Sequence, residues 1–175
     1  QGNQTATLVA SGSNRKYVTI NEIPINLQHA FVAIEDERFY DHNGIDLQGI
    51  LRAGLKGVAS GFHFSEGAST ITQQLLKNTV FTQWTSEQSM ADKFERKFQE
   101  QYLALQLEKV VDKDWILENY LNAINLGQNT LGVGVASERY FGKDVSELTL
   151  SECAVLAAIT TSPTLVTIRS RTRIT

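Results

Sequence analysis

The chain has 175 residues, 42% of them hydrophobic, and carries 16 Lys and Arg against 19 Asp and Glu for a net charge of −3. This length and apolar share suit one domain, residues 1–175, built round a single core, and without a basic excess the chain is poorly equipped to bind nucleic acid. It holds no run of eighteen apolar residues, its polar start Gln1-Gly2-Asn3-Gln4 is no signal peptide, and its one cysteine, Cys153, reads as a small buried hydrophobe that cannot form an intrachain disulfide.

Residues 7–10 and 16–20 alternate apolar and polar side chains on either side of Ser11-Gly12-Ser13-Asn14, which predicts a short β-hairpin. After Pro24 the apolar spacing changes to three and four residues, and the body is expected to be mainly α. Helices are predicted over residues 27–37, 47–60, 70–80, 87–110, 113–124, 132–140 and 150–160. Asp46, Ser69 and Asp112 suit N-caps, and Thr149-Leu150-Ser151-Glu152 fits a capping box. Connections 57–67 and 81–89 break the pattern. The start without methionine and the tail 165–175 suggest an excised piece of a longer protein.

Three segments gather chemistry. Glu35-Asp36-Glu37-Arg38-Phe39-Tyr40-Asp41-His42-Asn43-Gly44 follows the apolar run 30–34, which anchors Glu35 beside the core. A carboxylate there, partly out of water and facing the negative end of a helix dipole, suits proton transfer, although the same residues fit an ordinary solvated acidic turn. In Gly67-Ala68-Ser69-Thr70-Ile71-Thr72-Gln73-Gln74-Leu75-Leu76-Lys77-Asn78, helical spacing puts Thr70, Gln74 and Lys77 on one face. Free amides at the helix start and the Lys77 charge suit a phosphate or diphosphate; the alternative is an amphipathic surface helix. In Arg96-Lys97-Phe98-Gln99-Glu100 both cations share the face of Glu100, with Phe94, Phe98 and Leu105 expected on the core side. Taken alone, that is an ordinary intrahelical ion pair.

Together these segments resemble the bacterial peptidoglycan glycosyltransferase, or transglycosylase, family, found as the N-terminal domain of class A penicillin-binding proteins and as monofunctional enzymes. Glu35-Asp36-x-x-Phe39-x-x-His42-x-Gly44 is similar to its first motif, the stretch from Gly67 to Asn78 to its second, and Arg96-Lys97-x-x-Glu100 to its third. Ile116-Leu117-Glu118-x-Tyr120-Leu121-Asn122 and the stretch from Leu148 to Ala157 resemble the fourth and fifth, all in the family's order. The tail after Pro163 departs from the family.

The resemblance implies a lysozyme-like helical fold with a large lobe and a smaller membrane-facing lobe, in which Leu51, Leu55, Val58, Phe62, Phe64, Phe81 and Trp84 meet the bilayer. It implies polymerisation of lipid II on a lipid-linked glycan strand, with inversion and release of polyprenyl diphosphate, at the extracytoplasmic face of the bacterial cell membrane. It makes Glu35 the base and Glu100 the second catalytic carboxylate, whose role stays open between ordering the basic cluster, holding a metal and assisting the leaving group. Lys77, Arg96 and Lys97 would meet the diphosphate, and Ser69, Thr70, Gln74 and Asn78 the donor. Asp36, Phe39, His42, Gln73, Glu118 and Asn122 complete the substrate-binding set. A divalent cation, Mg or Mn, is compatible with this chemistry, no organic cofactor is expected, and other cell-wall synthesis proteins are potential partners. The competing readings are a lysozyme-like hydrolase or lytic transglycosylase, and a non-catalytic wall-binding module.

Overall fold

A computed structural model describes residues 16–59, 69–81, 90–127 and 130–161. Among the described residues the chain runs through α1 (Ile25–Glu35), α2 (Leu47–Ala59), α3 (Ile71–Thr79), α4 (Met90–Leu107), α5 (Lys113–Ala123), α6 (Val133–Phe141) and α7 (Leu150–Thr161). A short 3-10 turn over Val145–Glu147 precedes α7. The mainly α class expected from the sequence is therefore present. Of the expected hairpin, residues 7–10 lie outside the described residues and 16–20 form no strand; the β-pairing among the described residues is an isolated antiparallel bridge between Asn125 and Leu131. Residues 57–59 of the expected connection 57–67 are the last of α2, whereas its remainder, most of 81–89 and the tail 165–175 lie outside the described residues.

Local capping explains where most helices begin. Asp46 Oδ1 accepts the Gly49 amide at 2.9 Å ahead of α2, and Asp112 Oδ1 accepts the Trp115 amide at 2.8 Å ahead of α5. Before α7, Thr149 N donates to Glu152 Oε2 at 2.8 Å while Glu152 N donates back to Thr149 Oγ1 at 3.4 Å, closing the expected box. Lys143 reaches the same carboxylate at 2.7 Å, and these partners hold Glu152 well below the usual carboxylate range, at about 2. Among the ends that move, α4 stops at Leu107 rather than at residue 110, and two others show their cause. The cap of α3 is Thr70, whose Oγ1 accepts the Gln73 amide at 3.2 Å, rather than Ser69, whose hydroxyl is bonded to Lys97. α1 stops at Glu35, two residues early, because Asp36 leaves the helix at φ −161° to make tertiary contacts.

α1 packs chiefly on α7, and α3 on α5 and α4. Leu27 and Phe31 of α1, Ile71 and Leu75 of α3, Ile116, Leu117, Tyr120 and Leu121 of α5, and Cys153, Leu156 and Ala157 of α7 fill the core. Each large aliphatic or aromatic side chain buried there contributes about 1.5–3 kcal/mol. The Phe31 and Tyr120 rings meet edge to face at 6.2 Å. Past α5 the chain doubles back through Gly132, whose φ of +83° and closeness to the Asn122 carbonyl leave no room for a Cβ.

α4 corrects the expected amphipathic reading. Phe94, Phe98 and Leu105 were expected to face the core, yet they are 61%, 70% and 38% exposed, with Tyr102 exposed beside them. Glu100 and Ala104 point inward instead. The cause lies in what α4 packs against. Gly44 approaches so closely that a Cβ there would lie 2.6 Å from the Ala104 carbonyl oxygen, and the polar side chains of α3 accept the Lys97 ammonium. A second apolar row, Leu47, Leu51 and Leu55, stands exposed along α2.

Candidate active site

The acidic segment after α1 is a folded loop rather than a solvated turn. Asp36, nearly buried, accepts the Ile71 amide at 3.0 Å and His42 Nε2 at 2.9 and 3.1 Å. Gly44 N donates to His42 Nδ1 at 3.1 Å, which makes Nδ1 the acceptor and puts the ring proton on Nε2, facing Asp36. Thr70 Oγ1 donates to the Gly44 carbonyl at 2.8 Å, and Lys113 Nζ donates to the His42 carbonyl at 2.7 Å. The same ammonium sits 4.5 Å from the centroid of the fully buried Phe39 ring and pairs with Glu108 at 2.7 Å. Asp36, Phe39 and His42 therefore fix the loop on which Glu35 stands.

Glu35 is half-buried at the end of α1, and its Oε2 accepts Gln74 Nε2 from α3 at 2.9 Å. A cleft of about 140 Å³ opens beside it, lined by Glu35, Asp36, Glu37, Arg38, Asp46, Arg52, Ser69 and Thr70 among others. Arg38 forks onto Asp46 at 2.5 and 3.2 Å, holding that carboxyl below the usual range, and Glu37 bridges Arg38 at 2.5 Å and Arg52 at 2.8 Å. Sequence reasoning missed this charged wall. Its one local sign is Arg38 within an acidic run; the pairing of Glu37 with Arg52 crosses from the loop to α2.

The second and third segments meet at the far side of Ser69. Lys97 Nζ donates to Ser69 Oγ at 2.7 Å, to Gln73 Oε1 at 3.1 Å and to Glu100 Oε2 at 3.4 Å. Arg96 pairs with the other oxygen of Glu100, whose side chain is almost fully buried. Burial pulls the Lys97 ammonium below the ordinary lysine range, against the opposing pull of Glu100. Gln73 is buried, and its Nε2 has no hydrogen-bond partner among the described residues. Lys77 is exposed in the last turn of α3, close enough for its charge to act on Lys97, and Asn78 is half-buried beside it.

Glu35, Ser69, Thr70, Gln73, Gln74, Arg96, Lys97 and Glu100 thus form one connected assembly. Glu118 and Asn122 do not join it, because their polar atoms bind the chain ahead of α1. Glu118 accepts the Ile20 amide at 2.6 Å and the Tyr17 hydroxyl, while Asn122 accepts from Val18 N at 2.9 Å and donates to Val18 O at 2.8 Å. Among the described residues no three His, Cys, Asp or Glu converge to hold a metal. Of the carboxylates near the cleft, Glu100 is paired with two cations and Asp46 with Arg38. No helix among the described residues is long and apolar enough to cross a membrane.

The chain is 50% identical over 159 residues to penicillin-binding protein 1A of Clostridium perfringens, covering 89% of this chain and 22% of that protein. It is 47% identical over 167 residues to penicillin-binding protein 1A of Clostridium novyi, covering 94% of this chain and 19% of the relative. It is also 47% identical over 146 residues to penicillin-binding protein 1A of Escherichia coli, covering 83% of this chain and 16% of that one. The chain thus spans about a fifth of the length of the curated relatives it matches. A family described as transglycosylase matches residues 1–174, and the chain belongs to that transglycosylase family.

Proposed function

We propose that this chain is a peptidoglycan glycosyltransferase domain that polymerises lipid II into β-1,4-linked glycan strands. The observation that carries the reading is the pairing of a half-buried, hydrogen-bonded Glu35 with a basic cluster bound to the same cleft wall through Ser69. A sugar hydroxyl of the acceptor attacks the donor's anomeric carbon and gives its proton to Glu35. A new C–O bond forms with inversion, the bond from the anomeric carbon to the diphosphate oxygen breaks, and its electron pair leaves with the polyprenyl diphosphate. Charge developing on that leaving group needs fixed cations, and Lys97, Arg96 and Lys77 supply them, with the Ser69 hydroxyl and the Gln73 amide as hydrogen-bond donors. Glu100 orders Arg96 and Lys97.

A hydrolase would need two carboxylates flanking a glycosidic bond. Glu100 is poorly suited to that part, since it is buried and holds two cations. A wall-binding module would have no use for a half-buried carboxylate held by an oriented amide. The domain is read as one unit over residues 1–175, supported by the family match over 1–174 and the single core cluster. Its smaller lobe is proposed to lie on the extracytoplasmic membrane surface, where lipid-linked substrates reside. The exposed rows Leu47, Leu51, Leu55 and Phe94, Phe98, Tyr102 support this, because apolar area on that scale gains free energy at a bilayer interface.

Polymerisation of labelled lipid II, read as muramidase-sensitive ladders, is expected to fall by about 10²–10⁴-fold in Glu35→Gln, the scale of a lost general base; a wild-type rate in that variant would overturn the assignment. Pyrophosphate affinity is expected to fall on the alkaline side at a lower pH than the titration of an ordinary lysine implies, because the partly buried Lys97 loses its proton early. Lys97→Arg, charged throughout, moves that limb upward, and superimposable profiles would contradict the role. Flotation with phosphatidylglycerol–phosphatidylcholine vesicles is expected to drop on the order of tenfold in Leu51→Ser/Phe98→Ser. Unchanged flotation would remove the membrane-facing lobe from the account.

A further inference from the structure

Gln74 holds Glu35, and something must hold Gln74. A side-chain amide has donor and acceptor ends of nearly the same shape, so it can present either one to a neighbour. Only the NH2 end is useful against a carboxylate. Tyr120 of α5 decides which end is presented, since its hydroxyl donates to Gln74 Oε1 at 3.4 Å while Gln74 Nε2 donates to Glu35 Oε2 at 2.9 Å. Tyr120 is itself fully buried and packed edge to face on Phe31 of α1. Burial, reinforced by the Glu35 and Asp36 carboxylates, pushes the phenol far above its ordinary range, so it stays a proton donor throughout the working pH range.

We propose that Tyr120 is a positioning residue for the reaction: its hydroxyl locks the Gln74 amide so that Gln74 holds one oxygen of Glu35 and leaves the other to receive the acceptor's proton. The inference rests on the reading of Glu35 as the base. It gives a task to a tyrosine that packing alone would not distinguish from phenylalanine, because the ring contact with Phe31 needs no hydroxyl. The chain Tyr120, Gln74, Glu35 crosses three helices, and flipping the amide would set the carboxylate against a carbonyl and the phenol against an NH2 group. Loss of the hydroxyl removes half of that bias.

The test is a cycle of wild type, Tyr120→Phe, Gln74→Ala and the double variant, with Glu35→Gln alongside, all measured for lipid II polymerisation and thermal unfolding. Tyr120→Phe is expected to lower kcat about 5- to 10-fold, the scale of one hydrogen bond, with KM and the unfolding midpoint little changed. In the Gln74→Ala background the same substitution is expected to change nothing further, because its route to Glu35 is already cut. A wild-type kcat in Tyr120→Phe, a change confined to KM, or effects that simply multiply would each overturn the proposal. An inactive Glu35→Gln beside a fully active Tyr120→Phe removes the positioning role alone. A fully active Glu35→Gln removes the base and the positioning role together.

Discussion

The site depends on one buried carboxylate. Asp36 receives a backbone amide from the start of α3 and the imidazole of His42 from its own loop. With donors on its oxygens, the charge is tolerable out of water; without it, an amide and an imidazole would be left unsatisfied. The clasp fixes the end of α1 against the beginning of α3. Glu35 is the residue before Asp36 and Gln74 lies one turn beyond Ile71, so their hydrogen bond follows from the clasp. Ser69 and Thr70, just ahead of Ile71, are set on the cleft wall by the same contact.

The second constraint is the inverted face of α4. A helix normally buries its apolar stripe, but α4 turns Lys97 and Glu100 toward α3 and Ala104 toward the Gly44 loop, and leaves Phe94, Phe98 and Tyr102 outside. Burying Glu100 with Arg96 and Lys97 is a poor way to gain stability, since desolvation offsets much of the attraction. It is a good way to hold two cations in a fixed place before an anionic leaving group arrives. The aromatic residues that would have made a better core contact are then left exposed.

The helices were legible because their signals are local. Asp46, Asp112 and the Thr149–Glu152 pair cap their own first turns, and that chemistry can be read within four residues. The shift from Ser69 to Thr70 shows the limit: adjacent hydroxyls are equivalent caps until Lys97 claims one of them. The resemblance identified Glu35, Gln74, Lys97 and Glu100, and the fold joins them. What could not be read were contacts set by tertiary packing. Glu118 and Asn122 meet residues 17–20 about a hundred positions away, Arg52 of α2 meets Glu37 of the loop after α1, and the inward face of α4 is chosen by its polar partners rather than its apolar period. Tyr120 was visible as part of a motif, but its hydroxyl acquires meaning only once α3 lies beside it.

The most direct measurement of this account is made on Asp36→Asn, following lipid II turnover and pyrophosphate affinity on the same preparation. An asparagine keeps one acceptor and turns its NH2 group against a donor, opening the clasp while leaving Glu35, Lys97 and Arg96 in place chemically. The account predicts that turnover and pyrophosphate affinity fall together, because both walls of the cleft are positioned by that carboxylate. Wild-type values for both in a folded Asp36→Asn would contradict it, and would mean that the catalytic carboxylate and the basic cluster are held independently.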